Sequence, residues 1–536
     1  MRKSFLLIAV LLMLFEFTAT AQIPRTLQIG VTNGTATVSS QNSPGTFFGE
    51  LETTTNLSPP VAWSGTPLNF LVSGVSSNFP VANSQEFFRF LQTYPIFEFA
   101  IFYNVNMEIA PGQPMVVKGP VFCNASIWAY APYLTFLSSV DAVGFINTNT
   151  TDPFSDNYTN TGSPTFDVPF LTNQSSLTMP ITGTNTSAAS VQNILNLPPS
   201  GLAAPNPAAY QYPNQSYIFN EADLIISNSA TGINGNSAYG RNITIYYENQ
   251  YNIPYLSLVT NDIVQRVTNG VTVTTNLFYS FVTNVTSYDY RESKTVQAVQ
   301  IDVAKFNKWL TNAASSGGHA WNNKNLIGST SKGHAIDSIY VLNRVPLTLS
   351  QLPAVRIING QQLPSLFGLT VATPQPLYVL GNYNVQTNGG SPVLGTTNTA
   401  STYPAALMGD AITILSGNWL DSYAASTPLS SRIAVNTTVN AAILTGIVPT
   451  DPTISGNYSG GVENFLRLLE NWSNGLSTLT YNGSIVVMFS SQYATNYWGS
   501  ANVYGVPRRN WSFDQNFTDA NKLPPLTPSV VNYVTP

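Results

Sequence analysis

The sequence predicts a mainly β fold: an irregular parallel β-helix (β-solenoid) with a few short capping helices and long Asn/Pro/Gly loops. Three observations predict it. Short apolar segments rich in β-branched and aromatic residues recur along the chain, broken by single Gly, Asn or Asn-Gly corners. Charged residues make up only 8%, against about 25% in an average soluble domain, so Asn, Thr, Ser and Gly must form the polar surface. Helical periodicity is confined to a few short stretches. Short strands whose corners tolerate left-handed backbone suit coils that stack on one another and bury a continuous core. No fixed sequence period accompanies them.

In chain order, residues 1–21 read as a signal peptide, or as an N-terminal anchor if retained. Arg2 and Lys3 precede an apolar run from Phe5 to Phe15, and Ala19-Thr20-Ala21 offers a small-residue cleavage site. The mature chain is then expected to begin at Gln22. The run is shorter than the roughly 20 residues a membrane span needs, and no later segment reaches that length. Residues 22–95 form an N-terminal region with a short helix at 83–94, where Phe87, Phe88, Phe90 and Leu91 follow a polar cap. Residues 96–536 form the solenoid. Its first coil is expected in "NMEIAPGQPMVVKGPVFCNASIWAY", with Ile109, Val117, Val121 and Cys123 inward and Gly112 and Gly119 at corners.

A loop-rich insertion spans about 147–300, crowded with Pro, Asn, Ser and Gly at its start. Within it "SYIFNEADLIISNSA" and "RNITIYYENQ" read as strands, and "RVTNGVTVTTNLFYSFV" as a hairpin on Asn269-Gly270. Three further helices are expected at 187–196, 302–314 (Val303, Phe306, Trp309 and Leu310 behind an Asp cap) and 460–473 (Phe465, Leu468, Leu469, Trp472). "LFGLTVATPQPLYVLGNYN", "YPAALMGDAITILSGNW", "VNAAILTGIVPT" and "LTYNGSIVVMFSS" each read as strand, corner, strand. The C-terminal "GVPRRNWSFDQNFTDANKLPPLTP", with Arg508, Arg509, Trp511 and Phe513, reads as a tail capping the open end of the stack.

The segment "FEFAIFYNVNMEIAPGQPMVVKGPVFCNASIWAY" carries Ala100, Phe102, Tyr103, Met107-Glu108-Ile109, Pro111-Gly112, Met115, Gly119, Val121 and Asn124. This pattern resembles exported bacterial proteins grouped with type IV pilus-assembly or minor-pilin-like proteins. Later segments, from "LPAVRIINGQQLPSLFGLTVATPQPLYVLGNYN" to the C-terminal tail, are similar to the same proteins. The resemblance implies an exported, surface- or pilus-associated protein and assigns no catalytic residues. One departure stands out: a prepilin has Gly before its apolar helix and an early Glu within it, whereas here no Gly precedes the run and Glu16 closes it.

The net charge is −5 without a basic stripe, so the electrostatic term that drives nucleic-acid binding is missing. Cys123, the single cysteine, reads as a small buried apolar residue rather than a nucleophile. His319 and His334, with Asp337 nearby, lack an element to fix a metal-site spacing and read as exposed loop residues. "DPFSDNYTN" has oxygens for a calcium loop but not its closing Glu. Glu108, Asp302, Asp410, Glu463 and Glu470 are the patterned carboxylates. Asp410 reads as a corner carboxylate capping backbone N–H groups, and Glu463 and Glu470 as neighbours on one helix face. No residue is assigned a catalytic, cofactor-binding or metal-binding role, and no cofactor is expected. The expected function is non-enzymatic: a structural or adhesive protein of the periplasm, outer surface or medium, with other pilus or cell-surface proteins or carbohydrate as partners. The alternative is a polysaccharide lyase, glycoside hydrolase or carbohydrate-binding protein on the same scaffold. It would show as two or three carboxylates with an Arg in a groove, or as exposed aromatics in a row.

Overall fold

The structure is a computed structural model of the chain. It describes residues 26–32, 35–41, 47–54, 64–70, 76–80, 87–148, 162–179, 191–204, 206–210, 216–228, 243–248, 256–258, 262–268, 271–277, 281–311, 336–364, 367–387, 390–499 and 502–534. The fold is mainly β with parallel sheets, as expected. The leader, the 152–160 loop, His319, His334 and Asn269-Gly270 lie outside the described residues, although Asp262–Thr268 and Val271–Leu277 do pair as a hairpin.

The first coils of the expected solenoid set the pattern. The chain runs through Ile101–Tyr103, Met107–Ile109 and Met115–Val117, which belong to three different sheets. It returns through Val121–Cys123, Ile127–Ala129 and Leu134–Phe136, each parallel to its counterpart. Val140–Ala142, Ile146–Asn147 and Thr165–Phe166 add a third layer. Val121 pairs with Ile101 and Val140 with Val121, offsets of 20 and 19 residues that the local pattern conceals. Ile109, Val121 and Cys123 are fully buried, and Val117 nearly so. Phe122 pairs with Phe102 and their rings stack at 5.8 Å, so like residues meet like. Gly112 faces open space, whereas a Cβ on Gly119 would sit 2.6 Å from Cδ1 of Phe513. Close approach, not left-handed backbone, is what Gly119 supplies.

The long sheet then continues in an order that departs from sequence. Ile101–Tyr103 pairs in parallel with Ile485–Ser490, and from there the sheet steps back through Ala442–Ile447, Ala405–Gly409, Leu369–Ala372, Ser338–Leu342 and Leu224–Asn228. Ile243–Glu248 and Leu256–Leu258 finish it antiparallel. The first strands in sequence therefore lie beyond the last. A second sheet holds Lys294–Asp302, Gln351–Ile358, Leu377–Leu380, Ile412–Leu415 and Arg467–Leu468 in parallel, with Val282–Asp289 antiparallel at its edge. A third holds Thr437–Asn440, Thr478–Gly483 and Arg508–Phe513. Strands buried on both faces read as unbroken apolar runs, as "IVVMF" does.

Asparagines stack between layers. Asn384 and Asn440 exchange Nδ2–H···O=C bonds of 2.9 Å, and Asn482 donates to Asn440 Oδ1 at 2.7 Å. Asn124 donates to Asn104, and Asn228 to Asn343, both at 2.8 Å. Each ladder gives amide N–H groups acceptors across the layers.

Several expectations are corrected. The helix at 83–94 is instead a strand, Phe87–Pro95, held between Phe47–Thr54 and Ser529–Val534; its Phe/Tyr-rich run favours pairing, and partners on both sides override helical spacing. The helix at 460–473 is a 3-10 turn, Val462–Asn464, followed by the strand Arg467–Leu468. Gly460 and Gly461, at φ +89° and +73°, keep a helix from starting there. At 187–196 the described part is the 3-10 turn Gln192–Ile194. Val303–Thr311 is helical as expected, with Phe306, Trp309 and Leu310 buried and Asp302 Oδ1 accepting from Lys305 N. Within the 147–300 interval the expected strand segments are present at Leu224–Asn228, which joins the long sheet, and at Ile243–Glu248, and Val282–Asp289 opens a hairpin with Lys294–Asp302. The C-terminal tail is not simply a cap: Arg508–Phe513 is a strand of the third sheet, and Ser529–Val534 pairs with Phe87–Pro95.

Candidate functional site

The tip of the 282–302 hairpin is a densely bonded corner. Asp289 Oδ1 accepts from the N–H groups of Arg291 and Glu292 at 2.8 Å each, which folds the tip, and Ser293 closes it at φ +54°. Asp289 Oδ2 accepts from the Tyr378 hydroxyl at 2.6 Å. Glu292, buried, accepts from Arg467 Nη1 at 2.5 Å and from the N–H groups of Thr495 and Asn496. Arg467 Nη2 donates to Ala494 O at 2.5 Å. Asp410 accepts from three consecutive N–H groups: Gln492 at 2.5 Å, Tyr493 at 3.0 Å and Ala494 at 2.8 Å. Residues 491–496 are thus gripped by two carboxylates and a guanidinium. Burial pushes the Asp410 and Asp289 carboxyls up, and the bonds they accept and the nearby Arg467 pull the other way.

Beside this clamp, residues 417–431 lie over the outer face of the second sheet. Arg356 fastens them through a two-pronged pair with Asp421, its Nη2 at 2.7 Å from Oδ2. Trp419 is buried there against Val296, Ala298, Leu352 and Ala354. Four aromatic rings follow one another: Tyr288 to Tyr290 at 5.1 Å, Tyr290 to Trp419 at 6.4 Å, and Trp419 to Tyr423 at 5.3 Å, all edge-to-face. The guanidinium carbon of Arg432 sits 3.5 Å from the centre of the Tyr290 ring. Arg432 donates to the carbonyls of Leu469, Val503 and Asn502, and burial lowers its pKa. Glu470 accepts from Ser416 N and Oγ, both at 2.6 Å.

Between the hairpin tip and residues 425–429 opens a cleft of about 370 Å³, lined by Tyr288, Tyr290, Ser293, Ser426, Thr427 and Arg432 among others. A larger cavity, about 670 Å³, opens at the Leu224–Asn228 end of the long sheet. Its walls include Leu197, Phe219, Ile225, Tyr246, Leu342 and Arg344, away from the carboxylate clamp and the aromatic row.

The residues singled out from sequence are placed as follows. Asp410 caps backbone N–H groups at a corner, as expected. Glu463 and Glu470 do not share a helix face; Glu463 accepts from Ala110 N at 3.3 Å and Glu470 serves Ser416. Glu108 accepts from Thr450 Oγ1 at 2.9 Å. Arg509 donates to Asn464 at 2.9 Å, and Trp511 packs on Phe465 and Tyr481, so the C-terminal cluster is sheet structure. Cys123 is fully buried, and burial pushes its thiol up to about 12, which keeps it protonated and inert at neutral pH. Among the described residues no group of three His, Cys, Asp or Glu side chains could hold a metal ion. Nor is any described helix long and apolar enough to cross a membrane. The aromatic row escaped the sequence reading. Its signals were the alternating Tyr288 and Tyr290 before a turn, and Trp419 and Tyr423 in a segment otherwise polar.

No family model, no curated protein and no solved structure matches this chain.

Proposed function

We propose that this chain is an exported, non-enzymatic surface or pilus-associated protein with a structural or adhesive role, built as an irregular parallel β-helix. One observation carries the reading. The carboxylates patterned in the sequence hold the chain together: Asp410, Glu470, Glu463, Glu108 and Asp302 each accept hydrogen bonds from neighbouring layers or corners. Three sheets visited in turn, with partners 20 and 19 residues on, support the β-helix. The neutral polar surface, the leader and the resemblance to pilus-assembly proteins support export.

Fractionation of native cells with N-terminal sequencing tests this. A chain beginning at Gln22 in the periplasm, at the surface or in the medium is expected. Recovery of the chain in the cytosol would overturn export. New reducing ends released from polysaccharides by the purified chain would overturn the non-enzymatic role. A saccharide-active enzyme is the second reading, favoured by the aromatic row. Among its described lining residues, however, the cleft has no carboxylate to act as acid or base.

A further inference from the structure

We propose that the cleft between the hairpin tip and residues 425–429 binds a neutral saccharide. This deepens the adhesive reading and rests on it. A sugar ring is amphipathic, with C–H groups on its faces and hydroxyls around its rim. The cleft has the complementary character. Tyr288 and Tyr290 stand at 75° to one another and are half-buried, presenting ring surface to C–H groups. Ser293 and Ser426 are exposed at its rim beside Thr427, and supply uncharged donors and acceptors. Its volume of about 370 Å³ falls within the roughly 300–1,000 Å³ of small-ligand sites.

The walls are built in advance. The Tyr290 hydroxyl donates to Ala424 O at 2.8 Å, Ala424 N to Thr427 Oγ1 at 3.0 Å, and Thr427 N to Ala424 O at 2.8 Å. Arg432 braces the Tyr290 ring from one side. Little ordering entropy remains to be lost on binding. The groups the cleft offers a ligand are uncharged: its one charged lining residue, Arg432, is only 1% exposed and turns Nη1 and Nη2 to main-chain carbonyls. The chain's net charge of −5 also opposes polyuronates.

Isothermal titration of the full mature chain with neutral gluco-, manno-, galacto- and N-acetylglucosamine oligosaccharides, and with an oligogalacturonate, tests the proposal. At least one neutral series is expected to bind, with affinity unchanged between low and high salt. Ser426→Trp, which fills the mouth from an exposed position, should abolish that binding. Tyr288→Ala should weaken it about tenfold. Circular dichroism melting of both variants shows that the fold survives, and either variant alone suffices. Absence of binding by every neutral series overturns the proposal. So does binding that neither variant changes, or binding of the oligogalacturonate alone with salt-dependent affinity. Attachment of native cells with and without the chain is scored separately. Unchanged attachment overturns the adhesive reading whatever the cleft binds, while failed titration with lost attachment overturns the cleft alone.

Discussion

Asp410 shows how a single side chain can organise a corner. It lies fully buried after Gly409 and accepts three successive N–H groups from residues 492–494. Replacing it strands the buried Ala494 N–H away from water and removes the acceptor of the part-buried Gln492 and Tyr493 N–H groups, and an unsatisfied buried group costs about 1–3 kcal/mol. Asp410→Ala is therefore expected to lose about 1–3 kcal/mol in urea unfolding, and Asp410→Asn, which keeps one acceptor, less. Glu98 makes a different prediction. Burial raises its carboxyl from the ordinary 4.5 to about 7. A folded-state pKa above the unfolded one means the folded chain holds the proton more tightly. Its contribution is complete below about pH 4.5 and is lost as pH rises through about 7, by at most about 3 kcal/mol. Glu98→Gln should flatten that stretch of the stability–pH curve, measured as denaturation midpoints at acid and mildly alkaline pH; an unchanged curve would remove Glu98 from the account.

Among the elements, the asparagine ladder is the clearest device for keeping layers in register. Asn440 sits in its middle, bonded to Asn384 on one side and Asn482 on the other. Asn440→Ala leaves both neighbours short of a partner and should cost about 2–3 kcal/mol, again by denaturant midpoint. A full cost equal to an exposed Asn→Ala change would mean the ladder is not holding the layers. Strands such as Ala405–Gly409 and Ile485–Ser490 are legible in sequence because burial on both faces leaves an unbroken apolar run. The Asp302-capped helix is legible because its cap and its apolar face agree. The 83–94 and 460–473 stretches mislead because Phe and Leu at helical spacing are also compatible with a strand or a tight turn once backbone partners exist. The local signals of the aromatic row do not reveal the cleft. Tyr288 and Tyr290 look like any strand face until residues 417–431 fold over the second sheet and bring Trp419 alongside.

At the scale of the whole molecule, the long sheet is continuous only because Ile101–Tyr103 seals the edge of Ile485–Ser490. Asn104 Nδ2 donates to Met488 O at 3.0 Å, and Ser484 Oγ donates to Phe99 O at 2.6 Å, across the same seam. Deleting residues 97–147 should expose a long apolar strand edge, and such edges template association between chains. Sedimentation velocity is expected to show concentration-dependent oligomers for the deletion and none for the intact chain; a monomeric deletion product would mean the seam is dispensable. The seam also sets a timetable. Asn104 and Met488 lie 384 residues apart, so at roughly 5–20 residues per second the early segment waits about 20–80 s for its partner to be synthesised. A ribosome-bound chain therefore holds its first layers without the surface they rest on. Closure of the sheet therefore comes late in biogenesis, after the synthesis of 384 further residues of the 536.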